Sequence, residues 1–477
     1  MNKKIFDKRL CFEGIKSLKL VGMVFLVLGI IISFLIPFNT DKNLVDKIYS
    51  ISRYLPHIMA IHTVITPCLT LYMFSFLLKR NASDFYHSIP HKRTCLFLSF
   101  FVSVVAWIII IITAITLSSM LASKIMITGV KIDIGNIVLT TIGLFIASIT
   151  VAAGICFAET ITGNIISNIV VSGYILILPR VIYNFVLYEV CENSYELFIY
   201  DKYLLESFIN KNLSTRIIVY DYYAYQNPFK YWHNWLYTGV IFLLFLILAI
   251  VFFNKRKSEA AGNPSTSRVL QNVYRILFAM IISLIPINQC VNRVSNLPDG
   301  KVDIKIVISY YVLVIFGYFI FEILMTKSFK TLVKTIPGLG IVAVLNILMI
   351  TGIIFAGNKI VDYSPSPKEL DRVVFYVDTY DVNNNRYKEI EYVTKDEKVM
   401  KVFCDALKAE VKYCESGGVP PKVEEKYYES GGVPYIGYIY DICFVGKNGV
   451  KHFRRVWIDE NVINSAISKV KDEYEFK

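Results

Sequence analysis

Apolar residues run through most of this chain in long stretches that are separated by short polar connections. Stretches of roughly 20 apolar residues are long enough to cross the hydrocarbon core of a bilayer as helices. The pattern predicts nine membrane-spanning helices, at residues 18–38, 56–78, 95–117, 134–158, 165–188, 235–253, 273–290, 305–325 and 336–356. The seventh carries Pro286, Asn288 and Gln289, and the odd number of spans depends on it.

Beyond residue 357 the long apolar runs stop, and polar and apolar positions alternate. The pattern there predicts a strand, a helix that opens with a capping box, two hairpin strands and a last helix, at residues 373–380, 394–411, 433–445, 450–458 and 460–473. Between the two hairpin strands lies Gly446-Lys447-Asn448-Gly449, which is a turn sequence. Residues 358–477 are therefore predicted to form a small α+β domain.

Composition supports a polytopic membrane protein. Of the 477 residues, 55% are hydrophobic and only 18% are charged, and the mean hydropathy is +0.50; soluble domains usually carry about 25% charged residues. Residues 1–357 hold 31 Lys and Arg against 17 Asp and Glu, a balance of +14, whereas residues 358–477 have a balance of −2. Because the positive excess belongs to the membrane part, where inside loops favour Lys and Arg, we expect no nucleic-acid partner.

The basic residues also predict the orientation. They are concentrated in the segments that would face the cytoplasm if the N-terminus is inside, at residues 1–17, 79–94, 159–164, 254–272 and 326–335. Nine spans then place the C-terminal domain outside the cell. Residues 1–17 have apolar positions at helical intervals, which favours an amphipathic helix at the cytoplasmic membrane surface; a merely basic leader is the alternative.

Sequence motifs for catalysis are missing. The chain has no GxxxxGK[ST], GxSxG or HExxH motif, so we expect no enzyme activity and no cofactor on this chain. His87 and His91 are four residues apart, but Pro90 lies between them and no third ligand is evident, so no metal site is expected. The nine cysteines include no CxxC pair, and both free thiols and one disulfide in the C-terminal domain remain open.

Two ionisable residues inside predicted spans are candidates for an intramembrane function. Arg180 follows Pro179 in the fifth span, and Glu322 lies near the inner end of the eighth. Charged side chains within a bilayer are costly and often functional, but both positions are near span ends, where a long side chain can instead reach the headgroups. Several carboxylates at mid-depth would favour a proton-coupled secondary transporter, and none is evident.

The most informative polar connection is residues 79–93, between the second and third spans. Ser83 is predicted to cap a short helix there, Asp84 to lie at its positive end and Pro90 to stop it. Phe85 and Tyr86 supply rigid aromatic area of the kind found at interface hot spots. From the residues alone, a docking surface and an ordinary connecting turn remain equally open.

A family resemblance favours docking. The segment Asp84-Phe85-Tyr86-His87-Ser88-Ile89-Pro90-His91-Lys92-Arg93 resembles the cytoplasmic loop after span two in permease subunits of bacterial exporter-type ABC transporters, especially the six-span permeases of Gram-positive bacteria. Residues 157–164 resemble the family's short inner loop after span four, and residues 256–262 resemble the segment after span six. The resemblance covers about residues 1–265.

The resemblance implies a set of partners and site residues. A separate cytoplasmic ABC ATPase would bind ATP and Mg. A second permease, identical or homologous, would complete an export pathway across the membrane, and both permeases would contact membrane lipid. The ATPase would dock on a coupling helix formed by Ser83, Asp84, Phe85, Tyr86, His87, Ser88 and Pro90. The second inner loop would contribute Glu159, Thr162, Gly163 and Asn164.

The predicted fold is therefore an α-helical polytopic membrane protein with a six-span ABC permease core, about three further spans and a small extracytoplasmic α+β domain. Its predicted parts are an N-terminal segment, the permease core, the additional spans and the C-terminal domain, at residues 1–17, 18–265, 266–357 and 358–477. The rival function is a membrane sensor or regulatory protein whose outer domain binds an extracellular ligand.

Overall fold

The computed structural model describes residues 5–35, 48–49, 55–126, 131–194, 197–199, 207–215, 231–291, 304–327, 329–381, 386–415 and 439–458. All structural statements below concern these residues. Most of them are helical, and a small antiparallel sheet lies in the C-terminal part.

The helices are α1 (Lys8–Ser17), α2 (Lys19–Leu35), α3 (Leu55–Phe74), α4 (Arg80–Ser88), α5 (Arg93–Met126), α6 (Ile134–Ile161), α7 (Ile165–Leu176), α8 (Leu178–Asn193), α9 (Phe208–Lys211), α10 (Trp232–Lys255), α11 (Arg268–Val291), α12 (Ile304–Thr326), α13 (Ile336–Val361) and α14 (Glu397–Glu415). Short 3₁₀ segments lie at Ser75–Leu78, Ser258–Ala260, Phe329–Thr335 and Pro367–Glu369. The strands are β1 (Ile48–Tyr49), β2 (Lys131–Ile132), β3 (Leu370–Asp381), β4 (Arg386–Thr394), β5 (Ile439–Gly446) and β6 (Lys451–Trp457).

The membrane character predicted from the apolar runs is confirmed. Among the described residues, six helices are long and apolar enough to cross a membrane, and up to eight if each of two bent pairs forms one span. Residues 63–78 form a shorter apolar helix. Each of the nine predicted spans coincides with helical residues, because a backbone in lipid satisfies its polar groups only within a helix or a closed barrel.

The fifth predicted span, at 165–188, is not one straight helix. α7 ends at Leu176 and α8 begins at Leu178, with a bend of 48° between them. Pro179 at the second position of α8 has no backbone N–H to continue the ladder of α7, and its ring clashes with the carbonyl four residues earlier. α1 and α2 form the other bent pair, at 58°.

The doubtful seventh span is helical throughout Arg268–Val291, including Pro286. One of its polar residues has a buried partner, because Asn288 Nδ2 donates to Glu189 Oε1 over 2.7 Å. This hydrogen bond explains how an amide is accommodated in an apolar segment.

The chain divides into two compact units. The first comprises Met1–Tyr183, Glu206–Ile281 and Ile315–Val342, and the second comprises Asn184–Leu205, Ile282–Val314 and Ala343–Lys477. The core of the first unit contains aromatic rings from α3, α5 and α10 that pack at tilted angles. The ring of Phe97 lies 5.3 Å from those of Phe74 and Phe253, and all three are fully buried.

The predicted N-terminal amphipathic segment forms helix α1, which packs on α5. Asp7 caps its start by accepting from the backbone N–H groups of the first turn. On the buried side, Ser103 Oγ donates to Cys11 O over 2.9 Å, and Trp107 Nε1 donates to Ile15 O over 3.1 Å. The opposite side exposes Phe12, which is 63% accessible. An exposed ring beside basic residues is the arrangement expected of a helix at a membrane surface.

In the second unit, four antiparallel strands form a sheet in the order β4-β3-β5-β6. α14 covers one face, where Phe375, Phe403 and Phe444 are fully buried. The connection after α8 joins the edge of this sheet, because Arg455 N donates to Leu197 O over 3.0 Å.

The predicted α+β character of this part agrees with these elements, with two differences. β4 was not predicted. The predicted capping box at Thr394 is wrong in register, because the helix begins at Glu397 and Asp396 accepts from Lys398 N. The hairpin turn is as predicted, with Gly449 at φ +79°, whereas the predicted helix at 460–473 lies outside the described residues. The side chains of eight of the nine cysteines are described, and all eight are free thiols.

Candidate functional site

Three polar connections of the first unit lie together at one end of its helices. They are residues 79–92, 162–164 and 256–266, which overlap the three segments of family resemblance. Arg256, Gly163 and the short helix α4 hold them in contact through the interactions described below.

Helix α4 has one buried and one exposed face. Tyr86 is half-buried, with its ring centroid 4.3 Å from that of Phe76 and 5.6 Å from that of Phe100. Ser83 is completely buried on the same side. Phe85 points the other way and is 64% exposed. Because burying a Phe ring is worth roughly 1.5–3 kcal/mol, this exposed ring is a favourable contact for a partner.

The predicted roles of two residues at the start of α4 are wrong. The helix begins at Arg80, with Lys79 at the N-cap and no side-chain hydrogen bond to the cap. Ser83 therefore does not cap the helix. The charge of the helix dipole is felt most strongly in the first turn, and Asp84 lies beyond that turn. The side chain of Asp84 is exposed and next to Phe85. The cause is that the helix starts four residues earlier than an N-cap at Ser83 would indicate.

The end of α4 agrees with the prediction. The helix stops at Ser88, two residues before Pro90, which cannot continue a helix. Ser88 and Pro90 are exposed, and the side chain of His87 lies outside the described residues. The contact surface that α4 offers is therefore Asp84 and Phe85 with Ser88, rather than the aromatic pair Phe85 and Tyr86.

Arg256 ties three helix ends together. It follows α10, is only 3% exposed, and donates to the backbone oxygens of Glu159 and Thr162 at the end of α6. Its second terminal nitrogen donates to Leu77 O after α3 over 2.8 Å. Arg93 at the start of α5 adds a fourth helix, since it donates to Arg256 O over 2.6 Å.

The junction places a buried arginine near a buried glutamate. Glu159 is completely buried, and its side chain lies near Arg256 and Asn168. Burial lowers the pKa of the Arg256 guanidinium to about 10, against the opposing effect of Glu159. At neutral pH the arginine is thus still charged.

The second inner loop is built into the same junction rather than exposed. Thr162 is buried and closes α6, and Asn164 caps α7 by accepting from Ser167 N over 2.8 Å. A Cβ on Gly163 would lie 2.0 Å from Ala260 O. Only glycine permits this approach, which is completed by a 2.7 Å hydrogen bond from Gly262 N to Gly163 O. Glu159, Thr162, Gly163 and Asn164 therefore position the connection and present little surface to a partner.

The side chains of Arg180 and Glu322 do not extend outward towards lipid headgroups, which was the alternative that the sequence left open. Arg180 is 3% exposed and Glu322 is 2% exposed, so both side chains are enclosed by protein. Glu322 accepts from Arg275 Nη1 over 2.6 Å and from Gln271 Nε2 over 3.2 Å. Sequence reasoning missed Arg275, although its position on the apolar side of an amphipathic helix was the signal that could have identified it.

No group of three or more His, Cys, Asp and Glu side chains that could hold a metal ion occurs among the residues described. His91 Nε2 lies 3.7 Å from Asp7 Oδ2. That contact ties the end of the 79–93 connection to the start of α1.

Comparisons with protein-family models, with curated proteins and with solved structures found no match to this chain.

Proposed function

We propose that this chain is the transmembrane permease subunit of an ABC transporter. It would use ATP that is hydrolysed by a separate cytoplasmic ATPase, and a second permease, identical or homologous, would complete the pathway. Export, or extraction of an amphiphile from the membrane, is the direction that the resemblance favours.

The observation that carries the proposal is that the three segments that resemble ABC permease loops meet at one junction. They are distant in sequence, yet Arg256, Gly163 and α4 bring them into contact at the end of the apolar helices. Basic residues on these connections favour a cytoplasmic location. A chain with no nucleotide-binding motif of its own needs such a surface to receive force from a separate motor.

The geometry suggests how force would pass. α4 packs against the 3₁₀ segments Ser75–Leu78 and Ser258–Ala260. A push on Phe85 would reach Arg256, and through its hydrogen bonds the ends of α3, α6 and α10. Packed elements move together because protein interiors are close-packed and resist compression.

The test is whether a cytoplasmic ABC ATPase co-purifies with the chain from its native membranes. Phe85→Ala removes the exposed ring and its edge contact with Tyr86, but leaves the contacts of Tyr86 with Phe76 and Phe100. We expect it to weaken ATPase binding by roughly tenfold or more, as loss of a hot-spot aromatic does. Phe329→Ala is the matched control, because Phe329 is 74% exposed on a different connection. Equal retention of the ATPase by both variants would refute docking on α4.

The sensor hypothesis predicts a different result. A sensor would show no co-purifying protein with a Walker motif, and its signalling would depend on the C-terminal domain. The same purification therefore distinguishes the two functions.

A further inference from the structure

A cavity of about 390 Å³ lies beside the end of α10 and the connection that follows it. Its volume is within the range of small-ligand sites. The residues that give it its chemistry are Phe252, Lys255, Arg256, Lys257, Ser265 and Thr266. Basic side chains and hydroxyl groups therefore line the same space.

The charge of the cavity favours an anion. Lys255 and Lys257 are exposed, and neither forms an ion pair within the described part of the chain. Glu259 also lines the cavity, so three cations stand against one carboxylate. Ser265 adds a hydroxyl group, which can donate a hydrogen bond to a phosphate oxygen, whereas the hydroxyl group of Thr266 donates to Ile161 O.

Arg256 provides an independent sign of a missing acceptor. The residue is 97% buried, since its exposed fraction is 3%, and its Nε has no hydrogen-bond partner among the residues described. Buried donors are normally satisfied. Both terminal nitrogens already donate to backbone oxygens. An anion in the cavity would therefore give the Nε of Arg256 an acceptor and compensate the charge of its guanidinium.

The position of the cavity indicates where the anion comes from. Phe252, 37% exposed, lies one turn before Lys255 in the apolar helix α10, which is a candidate membrane span. The cavity thus has an apolar wall on the side of the span and a basic wall beyond its end. Basic pockets at the ends of membrane helices bind anionic lipid headgroups.

We propose that this cavity binds the phosphate group of an anionic phospholipid, with Lys255 and Lys257 as the main contacts and Arg256 as a buried supporting charge. The proposal is independent of ATPase docking. A free phosphate ion offers the same chemistry without the acyl chains, and the experiment separates the two sources.

The test is native mass spectrometry of the purified full chain, titrated with phosphatidylglycerol or with phosphatidylcholine of the same acyl chains. We expect tighter binding of phosphatidylglycerol. The variant K255Q/K257Q should weaken that binding about tenfold or more, since each basic residue near an anionic headgroup contributes about 1 kcal/mol. The matched control is K330Q/K334Q, which removes two exposed basic residues from another connection and should change affinity less than about threefold.

A parallel titration with inorganic phosphate identifies the source. Phosphatidylglycerol that stays bound in millimolar phosphate supports the lipid site. Displacement by phosphate alone would replace the lipid with a soluble phosphate as the ligand and overturn the lipid assignment. Equal affinity for the two lipids, or equal losses in the two double variants, would overturn the whole proposal.

Discussion

The junction around Arg256 makes a strong prediction about stability. Arg256→Met keeps an unbranched side chain of moderate length but removes the guanidinium that serves Leu77, Glu159 and Thr162. Three backbone oxygens then lose a donor, and the buried Glu159 carboxylate loses its nearby cation.

The magnitude follows from leaving three buried acceptors without a donor and a buried carboxyl group without its nearby cation. Each buried acceptor that loses its donor costs about 1–3 kcal/mol, so Arg256→Met should cost at least about 3 kcal/mol. Combining Arg256→Met with Glu159→Gln removes the uncompensated charge as well, so the double variant should recover at least about 1 kcal/mol relative to Arg256→Met alone. The recovery separates loss of charge balance from loss of packing.

The assay is unfolding in mixed micelles, followed by tryptophan fluorescence. Arg80→Met is the control, since Arg80 is exposed on α4 and surface substitutions usually change stability by less than about 0.5 kcal/mol. The reasoning fails if Arg256→Met and Arg80→Met have the same free energy of unfolding, or if adding Glu159→Gln makes Arg256→Met worse.

Two further predictions concern Gly163 and His452. Gly163→Ala should destabilise the chain by about 1–3 kcal/mol, because the new methyl group would overlap Ala260 O; Gly173→Ala, with no atom within 4 Å of its Cβ, should be neutral or stabilising by up to about 1 kcal/mol in the same assay. Burial and Arg454 lower the pKa of His452, so the folded state disfavours its protonation and stability should fall as pH drops through about 6.5. Thermal unfolding between pH 8 and pH 5.5 measures this effect, and an unchanged pH dependence in His452→Gln would contradict it.

The sequence predicted the helices well because membrane insertion leaves a simple signal. A run such as that in α5 is apolar throughout, and lipid allows only a helix there. The same reasoning failed at Pro179, where a continuous apolar pattern hid a break between α7 and α8. A continuous apolar run indicates that a segment lies in lipid, but it does not indicate the direction of the helix after a proline.

The candidate site was only partly predictable. The segments that compose it were identified individually, and Phe85 is exposed as docking requires. Tyr86 was expected beside it on the surface, yet it packs on Phe76 and Phe100, since only tertiary contacts decide which face of a nine-residue helix is buried. Arg256 was missed as the central residue because a basic residue after a span normally indicates topology alone.

A photocrosslink from position 85 tests the central claim most directly. A benzophenone amino acid in place of Phe85 would react in native membranes with whatever protein covers that side chain. The account predicts a crosslinked product that contains an ABC ATPase with a Walker motif, while the same probe in place of Phe355, which is 64% exposed within candidate span α13, gives none. Crosslinks from position 85 to lipid alone, or to proteins without an ATP-binding motif, would contradict the account.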